Sequence, residues 1–187
     1  EVNNSGTTIQ SNIKIISIKD VKEKNTEPKY EYNAVQGSLI LRIKYQDKSR
    51  LICMYDDSIH KFETGVDVEL TKLNEDNPKI TFADIELSNY VFRTYEKSTS
   101  LFRADTIIEM QNTSNGKENV YTIEEVAKSV VSNNNVIAVN LGNEVYFVET
   151  NAWLIKRYSS SQVIEKIILG DGVAGIIYSD KIEIVNL

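Results

Sequence analysis

The chain has 187 residues, of which 41% are hydrophobic and 26% charged, a composition that excludes a disordered or fibrous protein. Its formal net charge is -6 and its Lys and Arg residues are not clustered, which argues against a nucleic-acid-binding surface. No apolar run is long enough to cross a membrane as a helix. We therefore expect no nucleic-acid partner and no membrane insertion by this segment.

The N-terminal residues predict a lead-in followed by two strands. Residues 1–11 are polar and poor in core-forming side chains, which predicts a disordered segment. Residues 13–18 are rich in β-branched side chains and predict a strand, and residues 29–33 alternate in polarity and predict a second, edge-like strand. Pro28 argues against a central strand at that point. These strands form a partial first unit, residues 12–33.

Short connections rich in Asp, Asn or Gly join several apolar runs. Such residues tolerate positive φ and are typical of tight hairpin turns. The connections are Asp56-Asp57, Gly142-Asn143 and Ser179-Asp180. Because they recur at equivalent places, they indicate a repeated hairpin unit rather than isolated turns.

The segment from residue 79 to residue 123 is less regular but also predicts a unit of strands. A polar hairpin is predicted at residues 97–100, and Asn115-Gly116 is typical of a type I′ turn. The predicted strands are 80–87, 90–95, 106–110 and 120–123. We interpret this segment as one further sheet.

The last third of the chain repeats itself at an offset of 37 residues. Residues 136–148 lie over residues 173–185, and Val126 lies over Val163. A period of this length, built from short apolar runs, is typical of radial arrays of small sheets. Residues 122–131 also show helical spacing behind a capping box, but the repeat favours a strand over 126–132.

Together these patterns predict an all-β fold of β-propeller-like type, with about four four-stranded antiparallel blades in one domain that spans residues 12–187. A β-sandwich is the alternative, since short, regularly spaced strands suit it as well. The last unit stops after three strands, and the first partial unit could supply the fourth. The units are 12–33, 38–75, 79–123, 126–159 and 163–187.

The C-terminal residues also resemble a known family. Residues 136–142, 153–158 and 173–185 resemble the C-terminal portion of an uncharacterised bacterial family of membrane-anchored, WD40-like β-propeller proteins. The resemblance covers about residues 130–187 and implies an N-terminal membrane anchor ahead of an extracytoplasmic repeat domain. We therefore expect a location at the cell surface, with the cytoplasm as the alternative, and expect the chain to be the C-terminal half of such a protein.

This family has no known function, so the resemblance implies no catalytic residues. The chain also lacks the Gly-His and Trp-Asp dipeptides of WD40 repeats. Its likeness to those repeats therefore depends on strand order.

Two residues are candidates for catalysis, and the pattern around each favours a structural role. His60 is the only histidine, and its repeat counterparts are Tyr146 and Glu183, which predicts an outward-facing polar position without a nucleophile or an orienting partner. Cys53 is the only cysteine and lies in an apolar run, which predicts an inert buried side chain. We predict no catalytic residue at either place.

Metal and nucleotide sites are not predicted either. One Cys and one His cannot form a structural zinc site, and no Asp-rich loop matches a calcium pattern. Asp56-Asp57, Glu75-Asp76 and Asp171 are interpreted as turn residues. Gly170-Asp-Gly172 is isolated and precedes no helix, so it does not predict a nucleotide cradle. We expect no metal and no cofactor.

Tyrosine is the unusual feature of the composition, with ten residues. Together with Trp153 they could line a face that binds sugars or peptides. The preferred interpretation is that tyrosine is simply a good strand former. No ligand-binding residue can be assigned from the sequence.

We therefore predict a non-catalytic binding or scaffold domain of the bacterial cell envelope. Its blade loops would face a protein or a glycan, as repeat architectures commonly do. The alternative is a fragment of a larger propeller enzyme whose catalytic residues lie in an absent N-terminal half.

Overall fold

The computed structural model describes residues 2–5, 8–24, 26–33, 38–73 and 79–187. Within these residues the chain forms eighteen β-strands and one short α-helix, so the predicted all-β class is confirmed. The chain divides into two compact units, residues 1–74 and 75–187. The predicted single domain stays a prediction.

The first sheet of unit 1 has three antiparallel strands in the order β1-β2-β3. They are β1 (Val2–Ser5), β2 (Thr8–Ile15) and β3 (Tyr30–Asn33). The disordered lead-in predicted for residues 1–11 is therefore wrong over residues 2–5 and 8–11. Main-chain pairing explains the difference, because a ladder such as Val2 opposite Ser11 uses backbone groups and tolerates polar side chains.

A short helix, α1 (Ile18–Lys22), follows β2. The strand predicted for residues 13–18 thus ends at Ile15. Ser17 explains the change of structure, since its hydroxyl oxygen accepts a hydrogen bond from the Lys19 N–H at 3.2 Å and caps the helix.

The second sheet of unit 1 has four antiparallel strands in sequential order. Its core is apolar and joins both sheets of the unit. The strands are β4 (Ile40–Tyr45), β5 (Arg50–Tyr55), β6 (Ser58–Glu63) and β7 (Val66–Lys72). The buried core residues are Ile13, Tyr32, Leu51, Cys53, Tyr55 and Phe62. Both strands of the β5–β6 hairpin contribute to this core, so the hairpin is the centre of unit 1.

Unit 2 contains three antiparallel sheets of four, four and three strands. The first comprises β8 (Ile80–Asp84), β9 (Tyr90–Ser100), β10 (Arg103–Asn112) and β11 (Glu118–Ile123). The second comprises β12 (Ser129–Asn133), β13 (Val136–Asn140), β14 (Glu144–Glu149) and β15 (Leu154–Ser159). The third comprises β16 (Lys166–Leu169), β17 (Val173–Ile177) and β18 (Ile182–Asn186).

The central strand β13 of the middle sheet of unit 2 is buried on both faces. Alternate residues of a strand point to opposite faces. On β13, Ile137 and Val139 pack in the cluster shared with the preceding sheet. Ala138 packs with Val145 and Phe147 in the cluster shared with the following sheet. This layered packing explains why β13 is almost continuously apolar instead of alternating with polar residues.

The segment between β11 and β12 is neither helix nor strand over residues 124–128. The predicted strand at 126–132 is realised only from Ser129 onwards. Thr106 explains this course, because its hydroxyl donates to the Glu125 carbonyl at 2.7 Å and accepts from the Ala127 N–H at 2.8 Å. The segment is thus bound to β10, and these contacts replace the local helical ones.

Within the described residues, the last sheet has three strands. Among the described residues, β18 is hydrogen-bonded to β17 and to no second strand. The candidate donors, residues 13–18 and 29–33, lie in β2, α1 and β3, and β2 and β3 pair with each other. A fourth strand of the last unit supplied by residues 13–18 or 29–33 therefore stays a prediction.

Candidate functional site

His60 is buried, contrary to the predicted outward-facing position. It lies in β6 and is 6% exposed. Its Nδ1 is 2.8 Å from Asp67 Oδ1, and its Nε2 is 3.0 Å from the Ser58 hydroxyl oxygen. The repeat counterparts Tyr146 and Glu183 are only half-buried. The repeat positions predicted the wrong burial because the partner of His60, Asp67, comes from β7, and a repeat pattern does not show contacts between strands.

Asp67, His60 and Ser58 have the hydrogen-bond order of a hydrolase triad. The Ser58 hydroxyl, however, donates to Asp57 Oδ1 at 2.8 Å, and the other Asp57 oxygen accepts from the Ser38 hydroxyl at 2.7 Å. Ser58 is only 5% exposed, whereas a nucleophile must reach its substrate. These contacts join β6, β7 and the Asp56-Asp57 turn, which gives the network a structural role.

Cys53 lies opposite His60 in the β5–β6 ladder and is fully buried. The prediction of a buried side chain is confirmed. Burial raises the pKa of the Cys53 thiol to about 11, because the thiolate would be poorly solvated there. The thiol is therefore unreactive as long as unit 1 is folded.

This pKa predicts a pH dependence of the stability of unit 1. Above pH ~9 the unfolded thiol loses its proton, while the folded thiol keeps it up to about pH 11. The unfolded state then binds fewer protons, so the free energy of unfolding falls by roughly 2 kcal/mol between these pH values. Urea denaturation at pH 8 and pH 10.5 should show a steeper loss for the native chain than for Cys53→Ala. Equal losses would contradict the assigned pKa.

The longest hairpin among the described residues projects beyond its sheet. Residues 96–105 of β9 and β10 pair only with each other, since β8 reaches no further than Tyr95 and β11 no further than Thr106. We call residues 96–105 the finger. At its tip Leu101 is 94% exposed and Phe102 is 96% exposed. Two adjacent apolar side chains with this exposure are unusual for a turn, where polar residues normally lie.

An open groove of about 400 Å³ begins beside the finger. A shallower depression that includes Phe102 shares Arg103, Glu124 and Glu125 with the groove, so the two form one surface. The groove residues are Arg103, Thr122, Ile123, Glu124, Glu125, Tyr146 and Arg157. We call this lining the finger groove. It combines an aromatic ring with charges of both signs.

Arg157 is held at the far side of the finger groove. Its Nε and Nη2 donate to Glu144 Oε2 at 2.8 and 2.5 Å, and its guanidinium lies 5.3 Å from the centre of the Tyr146 ring. The hydrogen bond to Glu144 raises the pKa of Arg157. Within the described part of the chain, Arg103, Glu124 and Glu125 form no ion pair. The Glu125 charge contributes to the raised pKa of Arg157, whereas the charges of Arg103 and Glu124 are available to a partner.

The sequence signal for the finger was present but incomplete. The polar hairpin at residues 97–100 predicts a turn, but it does not predict the exposure of the apolar pair Leu101-Phe102 that directly follows. An apolar pair between Ser100 and Arg103 at a hairpin tip is the signal that identifies an exposed contact surface.

Among the described residues, two carboxyl groups have shifted pKa values, and both are lowered. Hydrogen bonds from the Ser49 backbone and the Arg50 side chain lower the pKa of Asp47, and a hydrogen bond from Lys181 lowers the pKa of Glu183. A carboxylic acid that donates a proton in catalysis needs a raised pKa. These two groups therefore do not favour acid catalysis.

The described ranges contain no cluster of three or more His, Cys, Asp or Glu side chains that could hold a metal ion. Asp56-Asp57 and Asp171 lie in turns. Glu75-Asp76 lies outside the described residues. None of the helices described is long and apolar enough to cross a membrane.

The tyrosines of each unit have different surroundings. Tyr30, Tyr32 and Tyr45 line a pocket in unit 1. In unit 2 the hydroxyls of Tyr158 and Tyr178 lie 2.7 Å apart. Three tyrosines of unit 1 thus share a pocket, and two tyrosines of unit 2 have neighbouring hydroxyls.

Comparison with known proteins gives no family. No protein-family model matches the chain, and no curated protein matches it. The family resemblance of the C-terminal residues therefore stays a prediction.

Solved structures match the chain at low sequence identity. Hsv2p from Kluyveromyces lactis is 14% identical with a TM-score of 0.50, over 89% of this chain and 53% of that protein. A second K. lactis Hsv2 structure is 13% identical with a TM-score of 0.46, over 80% and 46% of the two chains. BamB from Moraxella catarrhalis is 13% identical with a TM-score of 0.45, over 81% and 47%.

These likenesses concern the fold alone. The chain spans about half the length of the Hsv2 and BamB structures that it matches. Hsv2 is a WD40 propeller, and the match to Hsv2p confirms the prediction of β-propeller-like, four-stranded antiparallel sheets over the β-sandwich alternative.

Proposed function

We propose that the chain is a non-catalytic binding domain that holds a protein partner through the finger and the finger groove. The observation that carries this proposal is the exposure of Leu101 and Phe102, 94% and 96%, at the tip of a hairpin that stands clear of its sheet. Apolar side chains in water are unfavourable unless a partner covers them.

The chemistry of the finger groove favours a protein over a glycan. Arginine and tyrosine are enriched among the residues that dominate protein–protein binding energies, and Arg103, Arg157 and Tyr146 line the groove. The carboxylates of Glu124 and Glu125 lie beside them, so the surface suits a partner with charges of both signs around an apolar pocket. Phe102 would enter the apolar pocket of the partner.

The fold supports this role as well. The finger extends from two long strands of one four-stranded sheet, and both strands also pair with neighbours at their other ends. Phe102 is thereby presented on a rigid base, which lowers the entropy lost on binding. The proposed location in the bacterial cell envelope is supported by the family resemblance of residues 130–187.

Replacing both tip residues with serine is expected to abolish most of the binding. Loss of a central aromatic anchor costs about 2 kcal/mol or more, which corresponds to at least a ~30-fold lower affinity. Quantitative mass spectrometry of proteins retained from the producing cells should compare the native chain with Leu101→Ser/Phe102→Ser. A specific partner should be depleted at least tenfold by the double substitution.

The matched control is Val120→Ser, which replaces another exposed apolar residue of the same sheet. This variant should retain the partner at the native level. Equal retention by the native chain and the double variant would contradict the proposal, and so would equal losses in both variants.

A further inference from the structure

Unit 1 contains a pocket of about 190 Å³ that the proposed function does not use. Ile15 and Leu51 provide apolar contacts, and Tyr30, Tyr32 and Tyr45 provide aromatic ones. The full lining comprises Ile15, Lys29, Tyr30, Tyr32, Tyr45, Lys48, Ser49, Leu51 and Thr64. Concave, mostly apolar sites with a few polar groups are the usual form of small-molecule sites.

The ring of Tyr32 is fixed before any ligand binds. Tyr32 is 6% exposed, its ring centre lies 4.4 Å from that of Phe62, and its hydroxyl accepts a hydrogen bond from the Gly65 N–H at 2.9 Å. Gly65 has φ +87°, and a Cβ there would lie 3.3 Å from Tyr30 Cδ1. A glycine at this turn therefore allows Tyr30 to approach closely.

The charge of the pocket is positive, although the chain carries a net charge of -6. Both charged lining residues are lysines, Lys29 and Lys48. The neighbouring Asp47 is already bound, since its carboxylate accepts hydrogen bonds from the Ser49 N–H at 2.9 Å and from Arg50 Nε at 2.6 Å. The two ammonium groups therefore favour an anionic ligand.

We propose that this pocket binds a small aromatic carboxylate. The ring would pack against Tyr30 and Tyr45, and the carboxylate would pair with the ammonium groups of Lys29 and Lys48. The Tyr32 hydroxyl accepts from Gly65 and keeps its own proton as a further donor. The volume limits the body of the ligand to about one ring, which separates it from the extended protein partner of the finger.

Benzoate is the appropriate first probe, with benzyl alcohol as its uncharged analogue. Ligand-detected NMR and calorimetry should give a dissociation constant of about 1 mM for benzoate, as expected for so small a ligand. Benzyl alcohol should bind at least tenfold more weakly. A short peptide that ends in phenylalanine, compared with its C-terminal amide, tests whether a chain terminus can supply the same carboxylate.

Three variants locate the site. Lys48→Glu should lower benzoate affinity at least tenfold, and Tyr45→Ala should lower it severalfold. Lys22→Glu changes the net charge equally on the exposed helix α1 of the same unit and should leave the affinity unchanged. Equal affinity for benzoate and benzyl alcohol, absence of benzoate binding, or an equal effect of Lys22→Glu and Lys48→Glu would overturn the proposal.

Discussion

Replacing Phe147 with alanine is expected to destabilise unit 2 by about 3–5 kcal/mol. Phe147 is fully buried in β14 and belongs to the cluster that joins the last two sheets. Each sheet is held by its own ladder of hydrogen bonds, so the sheets cannot close the cavity left by the ring. Trp153 is 69% exposed and would report unfolding poorly, so far-UV circular dichroism during urea denaturation measures the effect.

Ile184→Ala is the matched control for this prediction. Ile184 occupies the repeat position of Phe147, 37 residues later, but it is 70% exposed. Because a surface substitution changes stability little, we expect a loss of less than about 0.5 kcal/mol. Similar losses for both variants would contradict the burial that distinguishes the two copies of the repeat.

His60→Ala is expected to destabilise unit 1 by about 3 kcal/mol. The substitution removes a buried ring that contacts Tyr55, with 5.2 Å between the ring centres, and leaves the Ser58 hydroxyl without its Nε2 contact. The buried thiol of Cys53 provides the measurement, since alkylation of Cys53 at increasing urea concentrations reports the opening of unit 1.

Glu69→Ala serves as the control, because Glu69 lies opposite His60 in the ladder but is exposed. This variant should change stability by less than about 0.5 kcal/mol. If His60→Ala opened unit 1 no more readily than Glu69→Ala, the hydrogen-bond network around His60 would have no structural role.

The strands and turns of this fold could be predicted because their causes are local. Apolar runs and turn residues such as Asp56-Asp57 and Gly142-Asn143 determine the hairpins directly, and Gly142 does adopt φ +109°. The repeat at an offset of 37 residues predicts a strand between residues 126 and 132, although the local spacing of apolar residues favours a helix. The structure has β12 from Ser129 onwards.

Features that depend on a neighbouring strand could not be predicted in this way. The burial of His60 depends on Asp67 of β7, and the pairing of residues 2–5 depends on β2. The candidate sites also depend on contacts between strands. The finger groove joins Arg103 to Arg157. The pocket of unit 1 that Tyr30, Tyr32 and Tyr45 line joins Ile15 to Tyr45. In each case the residues meet through contacts between strands that sequence spacing does not show.

The most direct test of the proposed function is photo-crosslinking from the tip of the finger. Benzoylphenylalanine replaces Phe102 in one variant and Val120 in another, and both are irradiated in the cells that produce the protein. We expect a discrete protein adduct from position 102, suppressed by excess native chain but not by excess Leu101→Ser/Phe102→Ser, and no such adduct from position 120. Absence of an adduct at position 102, or the same adducts from both positions, would contradict binding through the finger.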